Sequence, residues 1–395
     1  MKRTAIVGGK LVTPYRTVSD MGLVMEGGKI VSFFKGEEIP DNCQILDAKG
    51  NYVSPGFIDM HVHGGGGHDF MDGTERAIIE AAKTHMMHGT TSIVPTTLTS
   101  TDEDLFNFLE VYRSAKKMMT DGPSLLGVHL EGPYFALSQR GAQDPRYLRV
   151  PVKKHYMEIL NHSNDIIRMS VAPELDEEYA LVAELKSRHI LAAVGHSDAV
   201  YQQVAEAFER GYTHITHLYS GMSSLHRKNA FRYLGVVESA FLIDDMTVEI
   251  IADGKHLPIE LLKLILKCKP MNKISLITDS SRGAGMADGQ HVLLGSLKNG
   301  QDSIIDGGVA FTPDRLSFAS SVCTTDRCVR TMYKSVGVRI EEAVSMMTIN
   351  PARVMGIDAT KGSLDLRKDA DICIFNDNIE LSHVIVNGEI RWAAS

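Results

Sequence analysis

Between residues 55 and 356, the 395-residue chain alternates short apolar runs with longer amphipathic ones, and that rhythm limits the available folds more than any other feature. Strand-like runs end near Met60-His61, Val94-Pro95, Val128-His129-Leu130-Glu131, Val171-Ala172-Pro173, Val194-Gly195-His196, Ile215-Thr216-His217, Ile250-Ile251-Ala252-Asp253 and Leu276-Ile277-Thr278-Asp279. Helix-like runs fall between most of them: Glu75 to His88, Asp102 to Met119, Asp176 to Lys186, Val200 to Arg210 and Ile259 to Cys268. A strand followed by a crossover helix, repeated, builds a parallel sheet with helices on its face. Eight such units in roughly 250 residues fit an α/β fold of the (β/α)8 TIM-barrel type. The ends read differently, as short strands with turns: Thr4 to Val7, Gly22 to Met25 and Lys29 to Phe33, then Ala370 to Phe375 and Val384 to Glu389. The expectation is a small β-sandwich domain built from 1–54 and 357–395, with the barrel domain at 55–356.

Barrels of this kind carry their chemistry at the C-terminal ends of the strands. Six candidate ligands fall there. His61 and His63 close the first strand, Glu131 the third, His196 the fifth, His217 the sixth and Asp279 the eighth. Two histidines one residue apart on a strand share a face, and the Gly64-Gly65-Gly66-Gly67 run that follows ends the strand. A single histidine on such a rim is more often a core residue than a ligand; six donors at matching strand positions read as a metal site. Nitrogen and carboxylate donors without a cysteine motif suit Zn²⁺, Fe²⁺, Mn²⁺ or Co²⁺ in an open hydrolytic site. Such an ion lowers the pKa of bound water to about 7 in favourable sites. Asp279 is then the natural carrier of the proton from water to leaving group.

Charge and composition exclude other classes. A formal net charge of −8 argues against a nucleic-acid partner, which calls for a basic stripe. No stretch is apolar over the length a bilayer requires, so no membrane partner is expected, and Gly8-Gly9-Lys10 interrupts the N-terminal apolar run that a signal peptide would need. Cys43, Cys268, Cys323, Cys328 and Cys373 are odd in number and lack metal-site spacing, as in the reduced thiols of a cytoplasmic protein.

Several motifs occur in one order: Pro55-Gly56-Phe57-Ile58-Asp59-x-His61-x-His63-Gly64, His129-Leu130-Glu131-Gly132-Pro133, Gly195-His196-Ser197-Asp198-Ala199, Thr216-His217-Leu218-Tyr219 and Asp253-Gly254-x-His256. Together with Lys361-Gly362-Ser363-Leu364 and Lys368-Asp369-Ala370-Asp371, the sequence resembles the N-acetylglucosamine-6-phosphate deacetylases of the amidohydrolase superfamily over nearly its whole length. The resemblance implies a divalent transition metal, Zn or Fe, held by Glu131, His196 and His217. It also implies a second ion at His61 and His63 with Glu131 bridging, and Asp279 as general acid/base. By the same resemblance Ala142, Gln143, Ser220, Gly221, Arg227, Lys228 and His256 contact an amino-sugar phosphate, a loop of Ala319, Ser320 and Ser321 closes over it, and the protein is a homodimer. The activity implied is hydrolysis of the N-acetyl amide of N-acetylglucosamine 6-phosphate to glucosamine 6-phosphate and acetate.

The sequence departs from the family around the sugar. Gly-Ala-His becomes Gly141-Ala142-Gln143, Asn-Ala becomes Ser220-Gly221, His-His-Arg-Glu becomes His226-Arg227-Lys228-Asn229, and Phe231-Arg232-Tyr233-Leu234 reads as an insertion. Another N-acetyl-hexosamine, such as N-acetylgalactosamine 6-phosphate, is therefore the alternative substrate. Arg227, Lys228 and Arg232 also fit a merely solvated basic loop. A cyclic-amide hydrolase is a further alternative, but it calls for a lysine at the end of strand 4, where the chain has Ala172-Pro173-Glu174. A non-catalytic barrel scaffold is the last alternative; it would be expected to have lost ligands.

Overall fold

The computed structural model describes residues 3–36, 38–298, 300–315 and 318–394. Eight parallel strands carry the middle of the chain: β1 (Phe57–Val62), β2 (Thr90–Pro95), β3 (Val128–Glu131), β4 (Ile166–Val171), β5 (Leu191–Val194), β6 (His214–Ile215), β7 (Thr247–Ile251) and β8 (Ile274–Ile277). Strands β3 to β8 form one curled sheet in chain order, and β1 pairs with β2 in a second. Two links connect the sheets. Thr96 bridges to His129 in parallel, joining β2 to β3, and the Asp279 N–H donates to the His61 carbonyl at 2.9 Å, joining β8 to β1. This order and direction are consistent with a TIM-type barrel. Covered on both faces, β1, β2, β3 and β8 are buried along their whole lengths.

The crossover helices begin where a side chain can satisfy their first free N–H groups. Thr74 caps α1 (Glu75–Met87) by accepting from Ala77 N, and Thr101 caps α2 (Asp102–Met118) by accepting from Asp104 N. Helix α3 (Lys153–His162) has no counterpart in the sequence reading. The expected helix from Asp176 to Lys186 starts later, at Ala180, as α4 (Ala180–Ser187). Asp176 instead caps it from outside: its carboxylate accepts from Leu181 N at 2.9 Å and Val182 N at 3.0 Å, while Glu178 and Tyr179 turn through positive φ. Helices α5 (Tyr201–Arg210), α6 (Val236–Leu242) and α7 (Ile259–Cys268) follow, and α8 (Thr325–Arg330) comes after β8. Among the described residues no helix is long and apolar enough to cross a membrane.

Both chain ends are β-structured. A four-stranded sheet takes Lys29–Lys35, Met21–Glu26, Arg3–Val7 and Gln44–Asp47 in that spatial order. A six-stranded sheet takes Glu389–Ala393, Leu381–Val386, Ile372–Phe375, Tyr52–Pro55, Lys10–Val12 and Thr17–Val18. Ile6, Leu23 and Met25 from the first share one buried cluster with Leu11, Val53, Ile372 and Ile385 from the second. The sequence reading ran a strand from Val384 through Glu389; the structure ends it at Val386. Asn387 and Gly388, both at positive φ, make the two-residue turn into the next strand, the geometry that matches the right-handed twist of a hairpin.

Two antiparallel additions sit on the barrel. A hairpin, His226–Lys228 with Phe231–Tyr233, follows β6. A four-stranded sheet, His291–Leu294, Gln301–Asp306, Val309–Phe311 and Phe318–Ser321, follows β8. The loop expected at 319–321 is instead part of a strand of the second, Phe318–Ser321.

Candidate active site

Each rim residue stands at or just beyond the end of its strand. His61 lies within β1 and His63 one residue past it, Glu131 is the last residue of β3, His196 and His217 lie two residues past β5 and β6, and Asp279 two past β8. Three of these positions are backbone outliers: His196, His217 and Asp279 have φ of 48°, 27° and 48°. Left-handed backbone at a residue other than glycine costs about 1–3 kcal/mol and collects at functional sites. Here it turns the chain just past β5, β6 and β8.

The structure brings all six side chains together. Three overlapping groups, His61/His63/Glu131, His61/His217/Asp279 and Glu131/His196/His217, each have their donor atoms within 4.8 Å of one another. Glu131 Oε1 is 2.9 Å from His217 Nε2, 3.2 Å from His196 Nε2 and 3.5 Å from His61 Nε2. Its Oε2 faces His63 Nε2 at 3.5 Å. Asp279 Oδ1 is 3.1 Å from His63 Nε2 and 3.4 Å from His61 Nε2.

Surrounding groups orient these donors. His196 Nδ1–H donates to the Gln139 carbonyl at 2.8 Å, leaving Nε2 toward Glu131. Gly221 makes room for this bond: a Cβ there would lie 2.7 Å from His196 Nδ1 and 2.9 Å from the Gln139 oxygen. Gln143 bridges two partners, accepting from Thr99 N at 2.9 Å and donating to Glu131 Oε2 at 2.7 Å. Beneath the rim, Asp59 Oδ2 accepts from Thr278 Oγ1 at 2.6 Å and ties β1 to β8.

The electrostatics favour a cation. Burial raises the Glu131 carboxyl, but His61, His196 and His217 outweigh it and hold the group well below the usual carboxylate range. Burial also opposes charge on His63, yet Asp279 and Glu131 push its pKa up to about 9. A buried and a part-buried carboxylate thus draw a proton onto a histidine, a deficit of positive charge that a divalent ion would meet. His61 Nε2 is a buried nitrogen without a hydrogen-bond partner between these carboxylates. The donor set and this unpartnered nitrogen fit a transition metal.

A cavity of ≈ 220 Å³ opens above the rim. Ala142, Gln143, Ser220 and Gly221 line one part of its wall, and His256, Ala319 and Ser320 another. His256 is held by Asp253, to which its Nδ1–H donates at 2.8 Å, and packs on Phe318 with ring centroids 4.8 Å apart. Ser321 is buried behind the wall, its carbonyl accepting from Ser281 N at 3.0 Å. Arg227 and Lys228 lie outside the wall, exposed on the hairpin after β6.

Sequence reasoning missed Arg168 and Glu249, which lie fully buried beneath the histidines. One signal was available. A lone charge inside an apolar parallel strand, as in Ile166–Val171 or Thr247–Ile251, cannot stay buried without a partner.

Known proteins resemble this chain over most of its length. The sequence profile of the Amidohydrolase family matches residues 52–391. N-acetylglucosamine-6-phosphate deacetylase of Mus musculus is 30% identical over 385 residues, covering 94% of this chain and 91% of that protein. N-acetylgalactosamine-6-phosphate deacetylase of Escherichia coli O157:H7 is also 30% identical, over 384 residues, covering 96% and 97%. The crystal structure of N-acetylglucosamine-6-phosphate deacetylase from Pasteurella multocida superposes with a TM-score of 0.91 at 27% identity, covering 99% of this chain and 100% of that one. With a histidine- and carboxylate-lined strand-end rim, a profile match over most of its length and relatives of this kind, the chain belongs to the amidohydrolase family, among its N-acetylglucosamine-6-phosphate deacetylases.

Proposed function

We propose that this protein hydrolyses the N-acetyl amide of an amino-sugar phosphate, N-acetylglucosamine 6-phosphate first, releasing acetate and the free amine. The observation that carries the reading is the convergence of Glu131, His196, His217, His61, His63 and Asp279 under one cavity. Glu131, His196 and His217 would hold one divalent ion, Zn²⁺ or Fe²⁺, and His61 and His63 a second with Glu131 shared. When bound, such an ion supplies Lewis acidity toward water and toward the amide carbonyl. The remaining steps fall to side chains. Asp279 takes a proton from the attacking water and returns it to the departing nitrogen as the C–N bond breaks and the new C–O bond forms. Burial raises the Asp279 carboxyl, but His61, His63 and His217 outweigh it, so the group starts as the carboxylate a base must be. His256, steadied by Asp253, and the backbone and side chains at Ala142, Gln143, Ser220 and Gly221 bind the sugar, with Ala319, Ser320 and Ser321 forming the covering edge. Acetate release by purified protein from N-acetylglucosamine 6-phosphate tests the reading, and failure on every N-acetyl-hexosamine phosphate would end it.

The galactosamine relative matches this chain at the same identity, which keeps N-acetylgalactosamine 6-phosphate as a second candidate. Comparing kcat/KM for the two sugars decides between them.

Among the described residues of the cavity wall there is no lysine or arginine to meet the phosphate. Our reading is that the protein is a homodimer and that Arg227 and Lys228, on an exposed hairpin, reach the phosphate in the site of the second copy. Each charge-assisted hydrogen bond to a dianion is worth roughly 1.5–3 kcal/mol. Arg227→Ala or Lys228→Ala is therefore expected to lose about 10–150-fold in kcat/KM on the 6-phosphate and little on the unphosphorylated sugar. Equal turnover of both sugars by the wild type would show that the site does not read phosphate.

Residues 1–54 with 357–395 are read as a β-sandwich domain and 55–356 as a closed (β/α)8 barrel domain, a division supported by the shared cluster of the two terminal sheets. The five cysteines form no disulfide, which supports a cytoplasmic location.

A further inference from the structure

A pair of charges lies inside the barrel, beneath the rim, where parallel strands ordinarily carry apolar side chains. Arg168 of β4 and Glu249 of β7 are both fully buried and bonded to each other. Such a pair is a poor device for stability, because desolvating two charges offsets most of their attraction. Its contacts point to another role. Glu249 Oε2 accepts from His61 Nδ1–H at 3.2 Å and from the backbone N–H of His217 at 3.1 Å. Arg168 donates to the Met60 carbonyl at 3.1 Å and to Thr216 Oγ1 at 3.2 Å, and these residues immediately precede the same two histidines.

A neutral imidazole that donates through Nδ1 keeps a free lone pair on Nε2. In His61 that second nitrogen is buried and unpartnered, facing Glu131 Oε1 and Asp279 Oδ1. His63 lacks any comparable support, since its Nδ1 is buried without a hydrogen-bond partner. We propose that Glu249, anchored by Arg168, is a positioning residue that holds His61 in the tautomer and orientation needed to bind a metal at the rim. The inference rests on the metal-centre reading above and goes beyond it: His61 is built as a ligand, and Glu249 is the side chain that fixes its ring.

The experiment is a metal titration of the chelator-stripped, full-length protein with Zn²⁺ or Co²⁺ against a chromophoric chelator. Wild type, Glu249→Gln, His61→Ala and the double variant are compared, with circular dichroism as the folding check. Outer partners of metal-bound histidines are worth about 10–100-fold in affinity, so Glu249→Gln should weaken the ion that His61 holds by that factor. The double variant should bind no more weakly than His61→Ala alone, because the two residues act as one unit. Glu249→Gln leaves Arg168 unpaired and can unfold the protein; Arg168→Met/Glu249→Met removes both charges and should fold while showing the same loss. In the metal-free wild type, ¹⁵N shifts should report His61 as the Nδ1–H tautomer. Unchanged affinity in a folded variant, additive losses in the double variant, or an Nε2–H His61 in the wild type would overturn the proposal alone. A wild type that binds no transition metal would overturn the metal-centre reading and this proposal with it.

Discussion

Glu131→Gln is expected to abolish both tight metal binding and amide hydrolysis. The side chain keeps its size, but it loses the charge that would balance a cation, and one of its two carboxylate oxygens becomes an N–H₂ donor. Oε1 alone lies within 3.5 Å of three histidines, so no neighbouring carboxylate occupies an equivalent place. The loss should exceed the upper end, about 100-fold, of what removing an outer partner of a ligand costs. Metal content by mass spectrometry and acetate release measure the two halves separately. His196→Ala and His217→Ala should behave the same way, and a chelator-treated wild type should be inactive until metal is restored. Full activity in a metal-free preparation would refute the assignment.

Asp279→Asn comes second. It preserves shape and removes the base, and a positioned general acid/base contributes about 10²–10⁴-fold, so kcat should fall by that factor. The ion held by Glu131, His196 and His217 should be retained, because that group does not include Asp279. That split, kcat lost and metal kept, separates Asp279 from the ligands. A change in kcat below about threefold would place the proton-transfer role on another group.

The strand ends were legible because a parallel strand buried on both faces advertises itself as an apolar run, and a polar residue at or just past its end stands out. His61, Glu131, His196, His217 and Asp279 were each found in this way, from their own few neighbours. The start of α4 was not legible: Asp176 looks like a first-turn residue in sequence, yet it caps the helix from outside because Glu178 and Tyr179 turn through positive φ. Nor was the sheet after β8, whose strands His291–Leu294 and Gln301–Asp306 mix exposed and buried positions and carry no continuous buried run.

Local pattern in the chain by itself determined the alternation of strands and helices, the β character of both ends, and which donor types stand at the strand ends. Period and polarity are properties of neighbouring residues, so they survive without any tertiary contact. Only the tertiary structure decided that Gln143 spends its amide on Thr99 and Glu131, that His61 donates to Glu249, and that Arg227 and Lys228 stand on an exposed hairpin outside the cavity wall. Those outcomes depend on placing atoms within hydrogen-bond reach across strands as much as 188 residues apart. The curl of the sheet and the turns at His196, His217 and Asp279 set that placement, and no local run of sequence contains it.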